Sequence, residues 1–197
     1  MDFFSWHSYS NVVQNEIYAK YVRKTLDKNG YTHTESHCNE WNPGTKDRCT
    51  LRDAVNVASN MLMWQDAPID MAMYYNSRVT SSYGGLFDPL TWEPTKCFYA
   101  FKAFGELYKL ENQNFTESDD SEVFAVAASK GKEVAVMISN FSEENKPFRL
   151  EGLDDIENKT LFVIDRYRTL TLTNFSELEK GTLNKERVIL IKGNKRS

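Results

Sequence analysis

Gly30-Tyr31-Thr32-His33-Thr34-Glu35-Ser36-His37-Cys38-Asn39-Glu40-Trp41-Asn42-Pro43 is the stretch whose reading decides the fold. It reads as a short strand over residues 31–41. The strand carries the carboxylate of Glu40 to its C-terminal tip, with the ring of Trp41 directly behind. Upstream, Phe3-Phe4-Ser5-Trp6-His7-Ser8-Tyr9 reads as another strand, and period-two alternation places His7 and Tyr9 on one face. Between them residues 15–28 have helix length and stop at Asn29-Gly30. A strand, a helix and a second strand ending in a carboxylate form the working pattern of a (β/α)8 barrel, whose chemistry sits at strand C-termini.

The pattern continues outward. Residues 42–50 are a polar loop. Residues 53–64 predict a helix, with Ala54, Val57, Ala58 and Met61 recurring at i, i+3, i+4 and i+7. Residues 69–75 are a short apolar run bounded by Pro68 and Asn76, hence a buried strand. A loop containing Gly84-Gly85 follows, then a helix over 94–110 with Pro94 suited to its first turn. Residues 111–121 are polar and acidic, a linker. Beyond them short β-rich runs recur at about 8–12 residue spacing, which predicts an antiparallel sandwich.

The expected fold class is thus α/β plus all-β. The last three βα units of a partial (β/α)8 TIM barrel occupy residues 1–110, and an antiparallel β-sandwich occupies 117–197. A whole barrel takes about 250 residues, so the first section supplies three of eight units. An open three-stranded parallel sheet leaves its edges and apolar faces uncovered. The expectation is a C-terminal part of a longer enzyme, with the missing N-terminal part of the barrel as polypeptide partner. A small α/β domain of unusual design is the alternative. The first residues read as a core strand and carry no signal-peptide pattern, so the compartment is unread.

Composition narrows the function. The 197 residues are 41% hydrophobic and 13% aromatic, ample for a packed core and suited to stacking on sugar faces. A net charge of −4 leaves no electrostatic footprint for nucleic acid. The basic cluster at 192–196 reads as a solvated terminus. No run approaches 18 apolar residues, so no membrane span is expected. Cys38, Cys49 and Cys97 have no metal or redox spacing and are read as reduced, with a Cys38–Cys49 bond left open. His33, Glu35 and His37 fall on one strand face, but alternate residues about 6.8 Å apart put the outer two about 13 Å from each other. That is too far for one ion, so neither a metal nor a cofactor is expected.

At these motifs the sequence resembles the retaining glycoside hydrolases of clan A, most closely the family 39 β-xylosidase and α-L-iduronidase type. The family's sixth strand carries His-x-Tyr, matched by His7-Ser8-Tyr9. Its seventh ends in Thr-Glu, an aromatic and Asn, matched by Asn39-Glu40-Trp41-Asn42. Its eighth is followed by a glycine loop and a Pro-Lys-Pro helix. Tyr74-Tyr75, then Tyr83-Gly84-Gly85-Leu86-Phe87-Asp88, then Glu93-Pro94-Thr95-Lys96 are similar. The likeness covers nearly the whole chain in the family's order. Asn39 departs from the family's Thr, and the Asn-Glu pair bearing the general acid/base has no counterpart.

The resemblance implies a glycosidase acting on an oligo- or polysaccharide, β-xyloside-like by family. Glu40 is the implied nucleophile, with His7 and Tyr9 orienting it and keeping its pKa low. Trp41, Asn42, Tyr75 and Arg78 are candidate substrate contacts. Glu35 is the competing carboxylate, since Thr-His-Thr-Glu also sets one after a threonine. Taken alone, Glu40 is equally a surface glutamate at a strand end; the flanking residues and the upstream His-x-Tyr favour the nucleophile. Two other classes stay open: a non-catalytic carbohydrate-binding or assembly module built on the sandwich, and a small α/β enzyme pairing His7 with Glu40.

Overall fold

The computed structural model describes residues 1–83 and 85–196; Gly84 of the expected glycine loop lies outside the described residues. Three parallel strands, β1 (Phe3–Ser8), β2 (Glu35–Trp41) and β3 (Met71–Tyr74), pair in that order. They alternate with three helices, α1 (Val12–Lys28), α2 (Leu51–Met63) and α3 (Lys96–Tyr108). Then come β4 (Asn112–Asn114), β5 (Val123–Lys130), β6 (Glu133–Asn140), β7 (Lys146–Pro147), β8 (Ile156–Ile164), β9 (Thr171–Thr173), a 3-10 turn at Phe175–Glu177, β10 (Thr182–Leu183) and β11 (Arg187–Lys195). These make a six-stranded antiparallel sheet ordered β4-β5-β6-β11-β8-β9 and a two-stranded pair β10-β7. The molecule is mixed α/β with mostly antiparallel sheets.

Two helices begin earlier than their apolar periodicity. Asn11 caps α1 by accepting from the Gln14 N–H at 3.0 Å, and Thr50 caps α2 by accepting from the Asp53 N–H at 3.3 Å. The strand expected over 31–41 is shorter, because residues 31–34 form the turn leaving α1. His33 is therefore off the strand. Within the expected linker, β4 pairs with β5 as an edge strand; Asn-Gln-Asn has no strand propensity to announce it.

Helix α2 explains why the layers hold together. Residues 53–62 are all buried, since the helix lies between the parallel sheet and the six-stranded one. Ala54, Val57, Met61 and Leu62 join Cys38 and Trp41 to Val126, Met137 and Leu190 in one continuous core. The buried polar groups of α2 are paired. Asn60 donates to Asn56 and accepts from Asn15 at 2.7 Å, Asn56 accepts from the Val12 N–H at 3.0 Å, and Ser59 bonds Ser139 at 2.9 Å. Ser8 donates to Asn15, so this network reaches the tip of β1. The opposite face of the six-stranded sheet carries a second core, in which Val136, Ile138, Leu161 and Ile189 pack against Leu178, Leu183 and Phe148.

Candidate active site

Strand alternation by itself sends Glu40 the wrong way. Cys38 is fully buried on the helix side, and two residues on, Glu40 would follow it there. Instead β2 carries a bulge. Trp6 pairs with Cys38 but His7 pairs with Glu40, so β2 spends one residue more than β1 at Asn39. Strand β3 registers the same extra residue, pairing Cys38 with Ala72 and Trp41 with Tyr74. The bulge turns Glu40 onto the open face of the sheet, beside His7, and returns Trp41 to the helix side. By that register His7, Glu40 and Met73 form one row across the three strands. Ser5, His37 and Met71 form the row below.

The open face carries no covering layer among the described residues. His7 and Tyr9 are exposed, as are Phe3, Met71 and Met73. Glu40 is half-buried at the C-terminal end of β2, while Tyr9 lies just beyond β1 and Tyr75 just beyond β3. The sheet thus brings His7, Tyr9, Glu40 and Tyr75 to one end and one face. Arg78 stands outside this group, exposed on the following loop, where its Nε donates to the Thr80 hydroxyl at 3.1 Å.

Two expectations require correction. Trp41 does not face a substrate. It is 2% exposed, its ring set edge-on against Trp64 at 4.5 Å and Tyr74 at 5.0 Å, because the bulge points it into the core. Asn42 is also buried, and its amide is committed to backbone: Nδ2 donates to the Tyr75 carbonyl at 2.6 Å and Oδ1 accepts from the Gly44 N–H at 2.7 Å. It braces the ends of β2 and β3 rather than contacting a ligand. Glu35 ceases to compete, since it opens β2 at the opposite end and pairs with His37 Nε2 at 2.8 Å. The three cysteines are free, and burial pushes the Cys38 thiol up to about 12. Among the described residues no group of three or more His, Cys, Asp or Glu is arranged to hold a metal, and no helix is long and apolar enough to cross a membrane.

Sequence reasoning passed over the ground beneath the site. Asp53, at the start of α2, is 2% exposed; burial lifts its carboxyl to about 6, although the Cys49 N–H and the Cys97 thiol favour the anion. The Cys49 N–H bond measures 2.9 Å. Gly85 closes the loop above. It has φ +131°, and a Cβ there would stand 2.7 Å from the Asn76 carbonyl oxygen, so no side chain fits. The Tyr75–Asn76 peptide is cis.

The sequence matches no family model and no curated protein. The structure is similar to a glucosidase from Croceicoccus marinus, with a TM-score of 0.76 and 17% identity, covering 100% of this chain and 54% of that one. A family GH39 β-xylosidase from Caulobacter crescentus gives a TM-score of 0.66 at 15% identity, over 98% of this chain and 51% of that one. A GH30 endoxylanase from Clostridium papyrosolvens gives 0.63 at 15% identity, over 98% and 49%. The chain therefore has a fold found in glycoside hydrolases and spans about half the length of each of these three structures.

Proposed function

We propose that this chain is the C-terminal portion of a retaining glycoside hydrolase. Residues 1–110 are the last three βα units of a (β/α)8 barrel, residues 117–197 a β-sandwich, and Glu40 the nucleophile. One observation carries the reading: the bulge at Asn39 presents Glu40, beside His7, on the open face at the C-terminal end of the middle parallel strand. Chemistry in barrels is built at that end.

A retaining glycosidase uses two carboxyl groups about 5–5.5 Å apart, one attacking the anomeric carbon and one protonating the leaving oxygen. Glu40 takes the first role. His7, about one strand spacing of 4.8 Å away, and Tyr9 above it are the donors that orient the attacking oxygen. The second carboxyl comes from the rest of the barrel. That polypeptide pairs with the free edges of β1 and β3 and covers Phe3, Met71 and Met73. The substrate is an oligo- or polysaccharide, β-xyloside-like, and the reaction needs no cofactor.

This division of labour makes a sharp prediction. The 197-residue chain leaves alkyl glycosides and oligosaccharides intact, since on this reading the group that protonates the leaving oxygen belongs to the rest of the barrel. A dinitrophenyl β-xyloside needs no such proton. The Glu40 carboxylate attacks C1 and the C1–O bond breaks as dinitrophenolate leaves with its electron pair. Azide then attacks C1, breaking the bond to Glu40 without a general base. The expected product is the β-xylosyl azide, retained by two inversions and absent with Glu40→Gln. The α-azide, or product undiminished in Glu40→Gln, contradicts the assignment.

A further inference from the structure

At the end of the sheet where the proposed nucleophile lies, the loops after β2 and β3 bring a small wall of side chains together. Tyr83, on the loop after β3, is 52% exposed, and its ring meets Tyr75 edge to face at 6.0 Å between centroids. The Arg48 guanidinium, from the loop after β2, lies over the Tyr83 ring at 5.2 Å. Arg48 is half-buried, and its charge faces both the Tyr83 ring and the Asp53 carboxylate, whose anionic form it favours. The stacking holds this half-buried arginine in place.

The wall is held in place without a ligand. The Ser81 hydroxyl oxygen accepts from Asn76 Nδ2 at 3.0 Å and from the Tyr83 N–H at 3.2 Å. Asn42 ties the Tyr75 carbonyl to the end of β2. An exposed aromatic face with its orientation fixed in advance loses little side-chain entropy on binding a flat apolar partner. A pyranose ring presents such a face, ringed by hydroxyls that an arginine fork can grip.

Resting on the glycosidase reading above, we infer that Tyr83 and Arg48 form a second sugar subsite, one ring further from Glu40 than Tyr75, which makes the site selective for oligosaccharides over simple glycosides. Tyr83 supplies the stacking surface. Arg48 braces its other face and donates to a hydroxyl of the same sugar.

NMR titration of the full 197-residue chain with methyl β-xyloside, xylobiose and xylotriose tests this. Xylotriose is expected to shift the amides around Tyr83 and Arg48 and to bind at least ~10-fold more tightly than the methyl glycoside. Tyr83→Ala removes that gain, Tyr83→Phe keeps it, and Arg48→Ala lowers it. Equal affinity for all three probes, no binding of xylotriose, or a gain that survives Tyr83→Ala overturns the subsite. Azide formation independent of Glu40 alongside a Tyr83-dependent gain leaves the subsite standing and removes the nucleophile.

Discussion

Asp53 shows what a single residue at this site costs the fold. Its carboxyl is raised to about 6 from an ordinary value of 3.8, chiefly by burial. A raised pKa means the folded state holds the proton more tightly than the unfolded one. The stabilising contribution is therefore complete below pH 3.8 and lost as pH rises through about 6. Asp53→Asn removes the titration while keeping an acceptor for the Cys49 N–H. The stability of the variant relative to wild type is expected to rise between pH 4 and 7, by up to ~3 kcal/mol. Thermal melts of both proteins across that range check it, and a flat difference contradicts it. Nothing in the sequence marks Asp53, which looks like any acidic residue in a first helical turn. The place of Glu40 at the tip of a strand was legible, whereas the inward ring of Trp41 was not.

The bulge at the end of β2 is the element on which the site depends. A regular strand places Cys38 and Glu40 on the same face, and the sequence contains no glycine there to signal a bulge. The direction of Glu40 was therefore unreadable, although the strand and its tip were plain. A test follows from counting residues. Deleting Asn39 removes only the extra residue, so Glu40 still meets His7 and Trp41 still points inward. Deleting Cys38 drives Asn39 into the core in its place. The Asn39 deletion is expected to lose less than ~2 kcal/mol, and the Cys38 deletion several times that. Equal losses in urea unfolding contradict the register described here. The helices were read correctly in kind, and α1 and α2 were placed late in sequence, because Asn11 and Thr50 look like loop residues until their caps are seen. Strand β4 was missed for a similar reason, since its three polar residues are held by pairing with β5 rather than by propensity.

At the scale of the whole molecule, the alternation of strands and helices followed by β-rich runs was legible from hydrophobic periodicity. The burial of α2 on all sides was not. Its Asn56, Ser59 and Asn60 look like solvent positions, yet each is paired within the core, tying β1, α1 and the six-stranded sheet to one helix. That packing fixes the ends of β1, β2 and β3 relative to one another and leaves the opposite face of the parallel sheet open. On that face Glu40 either is or is not a nucleophile, and covalent trapping decides the matter. A dinitrophenyl 2-deoxy-2-fluoro-β-xyloside forms the first intermediate without a proton donor, and the fluorine slows its breakdown. Mass spectrometry of the digested chain is predicted to find one fluoroxylosyl group, on Glu40, and none in Glu40→Gln. An adduct on Glu35 or any other residue, or no adduct at all, would contradict the proposed chemistry.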